Sequence, residues 1–136
     1  MYEHILIPTD GSENVAQAID NGIAIADEFG ATVHALSVVP YVVTRDRLRH
    51  DPEAEAERAV EAIEQRCNEA GVDVSTEVRT GNPPEEVLAY SEDHDIDVII
   101  MGTHGRSGLE HAIIGSVAER VVRRSTVPVL TVRPED

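Results

Sequence analysis

The chain contains no lysine: all 11 of its basic residues are arginine. That absence excludes a P-loop nucleotide site, whose Gly-x4-Gly-Lys-(Ser/Thr) pattern needs a lysine to reach the phosphates. It contains one cysteine, Cys67, so neither an internal disulfide nor a cysteine-based metal cluster can form within one chain. Aromatic residues make up only 3% of the sequence. No apolar run approaches the roughly 18 residues a membrane span requires, and no signal-peptide pattern precedes the first apolar segment. A cytoplasmic protein with no membrane partner is the expectation.

Positive charge is scarce as well. Against the 11 arginines stand 26 acidic residues, a formal net charge of −15. Such a surface repels nucleic acid and anionic lipid over about a Debye length, so neither is an expected partner. Any polyanion bound here must be captured by local dipoles and arginine, against the global field. The lysine-free, acid-rich composition resembles that of cytoplasmic proteins from salt-accumulating (halophilic) organisms, where ionic strength screens self-repulsion. Disorder also accompanies high net charge, but a 41% hydrophobic content arranged in periodic blocks argues against it.

What is present reads as alternating strands and helices. Residues 4–8 form a short apolar run ending at Pro8, followed by a Thr9-Asp10-Gly11-Ser12 turn in which Ser12 is a suitable helix N-cap. A helix over residues 13–29 would place Val15, Ile19, Gly22, Ala26 and Phe29 on one face, with Gly30 as its stop. Residues 32–39 form a second strand. Arg45, Arg47 and Arg49 alternate in the passage after it, which reads as a solvated connection, with one face of a short strand or a lid as alternatives. An acidic helix over residues 52–70 carries Ala56, Val60, Ile63 and Cys67 as its apolar stripe. Cys67 on that stripe is a core residue rather than a redox sensor. Residues 72–78 alternate as a half-covered edge strand. A third helix spans residues 84–94, with proline acceptable in its first turn. A continuous apolar run at residues 98–101 reads as a strand buried on both faces. A fourth helix covers residues 117–124, and residues 126–132 form the last strand.

The order is βαβαβαβαβ over one domain, residues 1–136. It calls for a parallel sheet with right-handed crossovers and helices on both faces. Ligands of such sheets bind beyond the carboxyl ends of the strands, where strand order reverses. Two strand ends compete for that role, Pro8-Thr9-Asp10 and Gly102; if their strands are neighbours, both line one crevice. The stretch over residues 97–117 is punctuated by Gly102, Gly105 and Gly108 before Gly115-Ser116 opens the fourth helix. Glycines permit positive φ and close approach of a ligand to the main chain. A helix N-terminus directs free N–H groups and a positive dipole end at whatever sits there. Phosphate binding and plain turn chemistry both account for this pattern.

Three segments decide between them: I-L-I-P-T-D-G-S near the start, D-V-I-I-M-G-T-H-G-R-S-G in the middle, and G-S-V-A-E-R-V-V-R-R-S-T-V-P-V-L-T-V-R-P at the end. Together they resemble the universal stress protein (UspA-like) family over essentially the whole chain. The resemblance implies an α/β, Rossmann-like, adenine nucleotide alpha hydrolase-like fold: a single open five-stranded parallel sheet of order 3-2-1-4-5 with helices on both faces. It implies a homodimer formed through the last strand, residues 127–132. One branch of that family binds ATP through Gly-x2-Gly-x9-Gly-(Ser/Thr), and here Gly102, Gly105, Gly115 and Ser116 complete the pattern.

Carried over residue by residue, the resemblance assigns Asp10 to the ribose hydroxyls and Pro8, Thr9 and the Val38 backbone to the adenine. Met101, Gly102 and Gly105 form the near side of the phosphate loop. Gly115, Ser116 and Val117 offer N–H groups and a hydroxyl to the phosphates. Arg106 either adds charge to the phosphate tail or is solvated. Magnesium would be held mainly by phosphates and water. His104 and His111, seven residues apart, do not match a recognised metal-ligand spacing. The expected function is an ATP-binding, nucleotide-responsive stress module with no or very slow catalysis. The alternatives are an ATP hydrolase or phosphotransferase using Asp10 or His104, and a nucleotide-free dimerisation module.

Overall fold

The computed structural model describes residues 2–41, 51–104 and 114–134. Strand β1 (His4–Pro8) leads through a 3-10 turn (Glu13–Val15) into α1 (Ala16–Phe29). β2 (Thr32–Val39), α2 (Pro52–Ala70), β3 (Val74–Thr80) and α3 (Pro83–Asp93) follow, then β4 (Val98–Gly102), α4 (Ser116–Arg124) and β5 (Val129–Val132). The five strands form one all-parallel sheet of order β3-β2-β1-β4-β5, the expected arrangement.

Successive side chains of a strand point to opposite faces, so apolar strands feed two cores. Ile5, Ile7, Val33, Ala35, Val98 and Ile100 face α1 and α2, meeting Ala18, Ala26, Val60, Ile63 and Cys67. Leu6, Leu36, Ile99 and Met101 face the other way, onto Val87 and Tyr90 of α3 and Ala118 and Val121 of α4. The apolar stripe expected on α2 is therefore buried, with Ala59 added to it.

Local chemistry sets several helix ends. Asp51 caps α2 by accepting the Ala54 amide at 3.1 Å, Pro52 opens the helix, and Glu53 and Glu55 lie at its positive end. Gly71 closes it in the left-handed conformation, φ 72°. Asn82 caps α3 through the Glu85 amide at 3.2 Å, which starts that helix at Pro83 rather than residue 84. β3 and β5 begin two and three residues later than their apolar patterns suggest. β3 is an edge strand, as its alternation indicates.

The expected face of α1 is only partly correct. Val15, Ala18, Gly22, Ile23 and Ala26 are buried, whereas Phe29 is 54% exposed. Its ring instead meets Tyr2 edge-on, with centroids 5.3 Å apart. Gly22 lets α1 approach the sheet, because a Cβ there would collide with Ile7 Cδ1. Among the described residues, no helix is long and apolar enough to cross a membrane.

Candidate functional site

The order β3-β2-β1-β4-β5 makes β1 and β4 neighbours, with Ile5 opposite Val98 and Leu6 opposite Ile99. β1 continues to β2 on one side, and the chain returns from the β3 edge to β4 on the other. The β1/β4 seam is thus the point of reversal, beyond which ligands of such sheets bind, and both competing strand ends flank it.

The β1 side is a tight turn. The Thr9 amide donates to the Leu36 carbonyl at 2.8 Å, which ties the turn to β2, and Thr9 is buried. Thr9 Oγ1 accepts the Gly11 amide at 3.0 Å, and Asp10 Oδ1 accepts the Ser12 amide at 2.9 Å. Gly11 adopts φ 79°, the left-handed region this turn needs. Asp10, at the end of β1, is half-buried and held by its own turn. Pro8 ends β1, and Val38 lies half-buried near the end of β2, opposite Arg79 of β3.

Ser12 departs from its expected role. It precedes the 3-10 turn but makes no side-chain cap bond, and its Oγ is buried without a hydrogen-bond partner. A buried hydroxyl left unpaired carries a desolvation cost of about 1–3 kcal/mol.

On the β4 side, Gly102 is the last strand residue. A Cβ there would stand 3.1 Å from the Asn14 carbonyl oxygen and 3.6 Å from Val15 Cα. The requirement at Gly102 is room for another main chain; its φ is not positive. Met101, assigned by the resemblance to the edge of the phosphate loop, buries its side chain in the core with Ala118 and Val121 of α4. Thr103 then continues the ladder, its amide donating to the Val132 carbonyl at 3.1 Å. The Thr103 carbonyl accepts the Gly115 amide, and Thr103 Oγ1 lies 2.8 Å from His104 Nδ1. Thr103 and Gly115 are thereby held together. Gly105, Arg106, Gly108 and His111 lie outside the described residues, as do Arg45, Arg47 and Arg49.

Gly115 therefore does not offer its own amide to a ligand, because the Thr103 carbonyl already takes it. The first intrahelical bond of α4 runs from the Glu119 amide to the Gly115 carbonyl at 2.9 Å, and no side chain caps the helix. The amides of Ser116, Val117 and Ala118 precede that bond, in the turn where helical N–H groups lack intrahelical partners. Arg123 and Arg124 in the last turn complement the dipole. Ser116 is exposed, while Val117 packs partly on the core beneath.

Three features near these strand ends are missing from the sequence reading: the buried, unpaired Ser12 hydroxyl after β1, the Asn14 carbonyl against Gly102, and the Thr103–Gly115 bond. For Thr103 a signal existed, since it directly follows an apolar strand and precedes the glycine-rich loop. Nothing local marks the other two.

Comparison with known proteins places the chain in a family and matches its fold. A model of the universal stress protein family matches residues 1–133. The universal stress protein MJ0531 of Methanocaldococcus jannaschii is 37% identical over 141 residues, spanning 98% of this chain and 83% of that protein. The solved structure of the hypothetical protein MJ0577, from the same organism, superposes with a TM-score of 0.88 at 32% identity, covering 100% of this chain and 99% of that one. A universal stress protein of Archaeoglobus fulgidus, solved in complex with dAMP, shares the fold with a TM-score of 0.74 at 18% identity, covering 97% and 98%. With the fold and the family model in agreement over nearly its whole length, the chain is a member of the universal stress protein family.

Proposed function

We propose that this chain binds an adenine nucleotide, ATP with magnesium, in the crevice over the β1/β4 seam, and acts as a nucleotide-responsive stress module with no or very slow catalysis. The observation that carries the proposal is the meeting of two backbones at the end of β4. The 3-10 turn that follows the Thr9–Ser12 turn brings the Asn14 carbonyl and Val15 against Gly102, and the Thr103–Gly115 bond brings the open end of α4 to the same strand end. An acidic group suits ribose hydroxyls, and helix-terminal amides suit phosphate. The dAMP complex of the A. fulgidus protein supports the class of ligand.

In this proposal Asp10 takes the ribose, and Pro8, Thr9 and the Val38 backbone frame the adenine. The backbone of Met101 and Gly102, with Gly105 and Arg106, borders the phosphate path. The amides of Ser116 and Val117, with the Ser116 hydroxyl, grip the phosphates, and Gly115 keeps that path clear of a side chain. The Ser12 hydroxyl is added to this set. Magnesium is held chiefly through phosphate oxygens and water. No general base is assigned: Asp10 serves its turn, and His104 is bonded to Thr103. The same reading includes a cytoplasmic location and a homodimer through β5.

The test is to purify the protein in molar salt without added nucleotide, denature it and identify what is released. Intact ATP is the expected result. ADP favours the hydrolase alternative, and the absence of any nucleotide, together with no binding by titration calorimetry, overturns the proposal. Gly115 has φ −74° and ψ 163°, which valine adopts readily, so Gly115→Val is expected to fold normally and lose at least tenfold in affinity. Ser12→Ala separates a ligand contact from a packing role, since only the former weakens binding.

A further inference from the structure

At the opposite end of the sheet, away from the crevice, three imidazoles and a phenol form a continuous chain. His4 Nδ1 lies 3.1 Å from His34 Nε2, and His34 Nδ1 lies 2.7 Å from Tyr90 Oη. Tyr90 stacks on His94 with centroids 3.8 Å apart and an 11° interplanar angle. His94 Nδ1 and the His94 amide both reach the Tyr90 carbonyl, at 3.1 and 3.0 Å, closing the C-terminal turn of α3. His34 is 7% exposed and Tyr90 1%. These contacts join the starts of β1 and β2 to α3. Among the described residues, no group of three or more His, Cys, Asp or Glu side chains could hold a metal ion, so metal binding does not explain the cluster.

We propose that His4, His34, Tyr90 and His94 form a proton-sensitive latch: with His34 neutral it fastens α3 to the sheet, and on acidification α3 loosens. A neutral imidazole has one donor and one acceptor, which suit the two neighbours His34 has. A proton added to it would create a cation in a buried site 3.1 Å from one histidine ring nitrogen and 5.9 Å, between centroids, from the His94 ring.

The surrounding charges do not offset that cation. From β3, Glu77 bonds to Arg79, Arg79 also reaches Glu86 of α3 at 3.5 Å, and the Arg79 guanidinium stands 5.1 Å from the Tyr90 ring centroid. Ahead of β4, Asp97 accepts the amides of Glu3 and His4 at 2.8 and 2.9 Å, so it serves the backbone behind His4. None of these three carboxylates is bonded to His34. Burial, reinforced by the charges of His4 and then His94, lowers the His34 pKa from 6.5 to about 4. The stabilisation from neutral His34 is complete above pH 6.5 and declines as pH falls toward 4, because the unfolded chain takes up a proton that the folded chain refuses. This inference does not depend on nucleotide binding at the other end of the strands.

The test compares wild type with His34→Gln, whose neutral amide can donate and accept, by denaturant unfolding in constant molar KCl between pH 7.5 and pH 4.5. The many surface carboxylates titrate alike in both proteins and cancel. Relative to the variant, the wild-type unfolding constant is expected to rise by up to about tenfold per pH unit below 6.5. Hydrogen exchange at the α3 amides, corrected for intrinsic rate, is expected to accelerate more than in β1. Parallel pH profiles, or α3 exchange indifferent to pH, overturn the latch. Should His34→Gln not fold, NMR titration of wild-type His34 decides: a midpoint below 5.5 sustains the proposal and one at or above 5.5 defeats it.

Discussion

The carbonyl oxygen of Asn14 lies 3.1 Å from the point where a Cβ on Gly102 would stand. The atom is part of the main chain, so it cannot rotate aside as a side chain would. Gly102→Ala must push the 3-10 turn and the end of β4 apart by a few tenths of an ångström. The expected cost is about 1–3 kcal/mol of stability, typical of overpacking, and weaker binding of the proposed nucleotide, because the 3-10 turn and the end of β4 both border its proposed site. Urea unfolding and titration calorimetry measure the two effects; an unchanged pair of values would show that the seam yields freely.

Asn82 makes a similar test of a local device. Its side chain accepts the Glu85 amide at 3.2 Å at the start of α3. Asn82→Ala removes that acceptor from an exposed helix end and is expected to cost about 1 kcal/mol. A loss near zero in the denaturation midpoint would mean that water replaces the cap without penalty.

β5 forms one edge of the sheet. Near it, Leu130 is 40% exposed and Val122 of α4 is 46% exposed. An uncovered apolar edge is a pairing surface, and the proposed homodimer would cover it. Leu130→Glu is expected to turn a dimer into a monomer in sedimentation runs in molar salt, with an unchanged circular dichroism spectrum. A monomeric wild type at the same salt removes the dimer from the proposal.

The net charge of −15 predicts a salt requirement. Lowering KCl from 1 M to 0.1 M lengthens the Debye distance from about 3 Å to about 10 Å, which restores repulsion among the surface carboxylates. The melting temperature is expected to fall by several degrees or more. A melting temperature insensitive to KCl would show that local ion pairs, such as Arg66 with Asp20 and Arg123 with Glu119, already neutralise the surface.

The helix–strand order and the parallel sheet were legible in the sequence because each rests on patterns a few residues long. The run Val98, Ile99, Ile100, Met101 reads as a strand covered on both faces, and Pro52 and Gly71 bracket a helix by their own backbone preferences. The spacing of Gly102, Gly105 and Gly115-Ser116 suggested a phosphate loop, and the structure sets Gly102 and Gly115-Ser116 beside the same strand end. It also changed the reason for two of these residues: Gly102 and Gly115 avoid positive φ, and what matters at Gly102 is the gap to Asn14. Phe29 shows the limit of periodicity, since it lies on the helical stripe yet beyond the reach of the sheet.

Sequence alone, then, determined the elements, their parallel arrangement and the acidic surface, since propensity, capping and composition act over a turn or less, or sum over the chain. Tertiary structure alone decided that the Ser12 hydroxyl is left unpaired, that the Gly115 amide is taken by Thr103, and that His34 meets Tyr90 across 56 positions. Each of these depends on strand register and on the depth at which a helix seats against the sheet. Those quantities arise from packing the whole chain at once, and no short stretch of residues contains them.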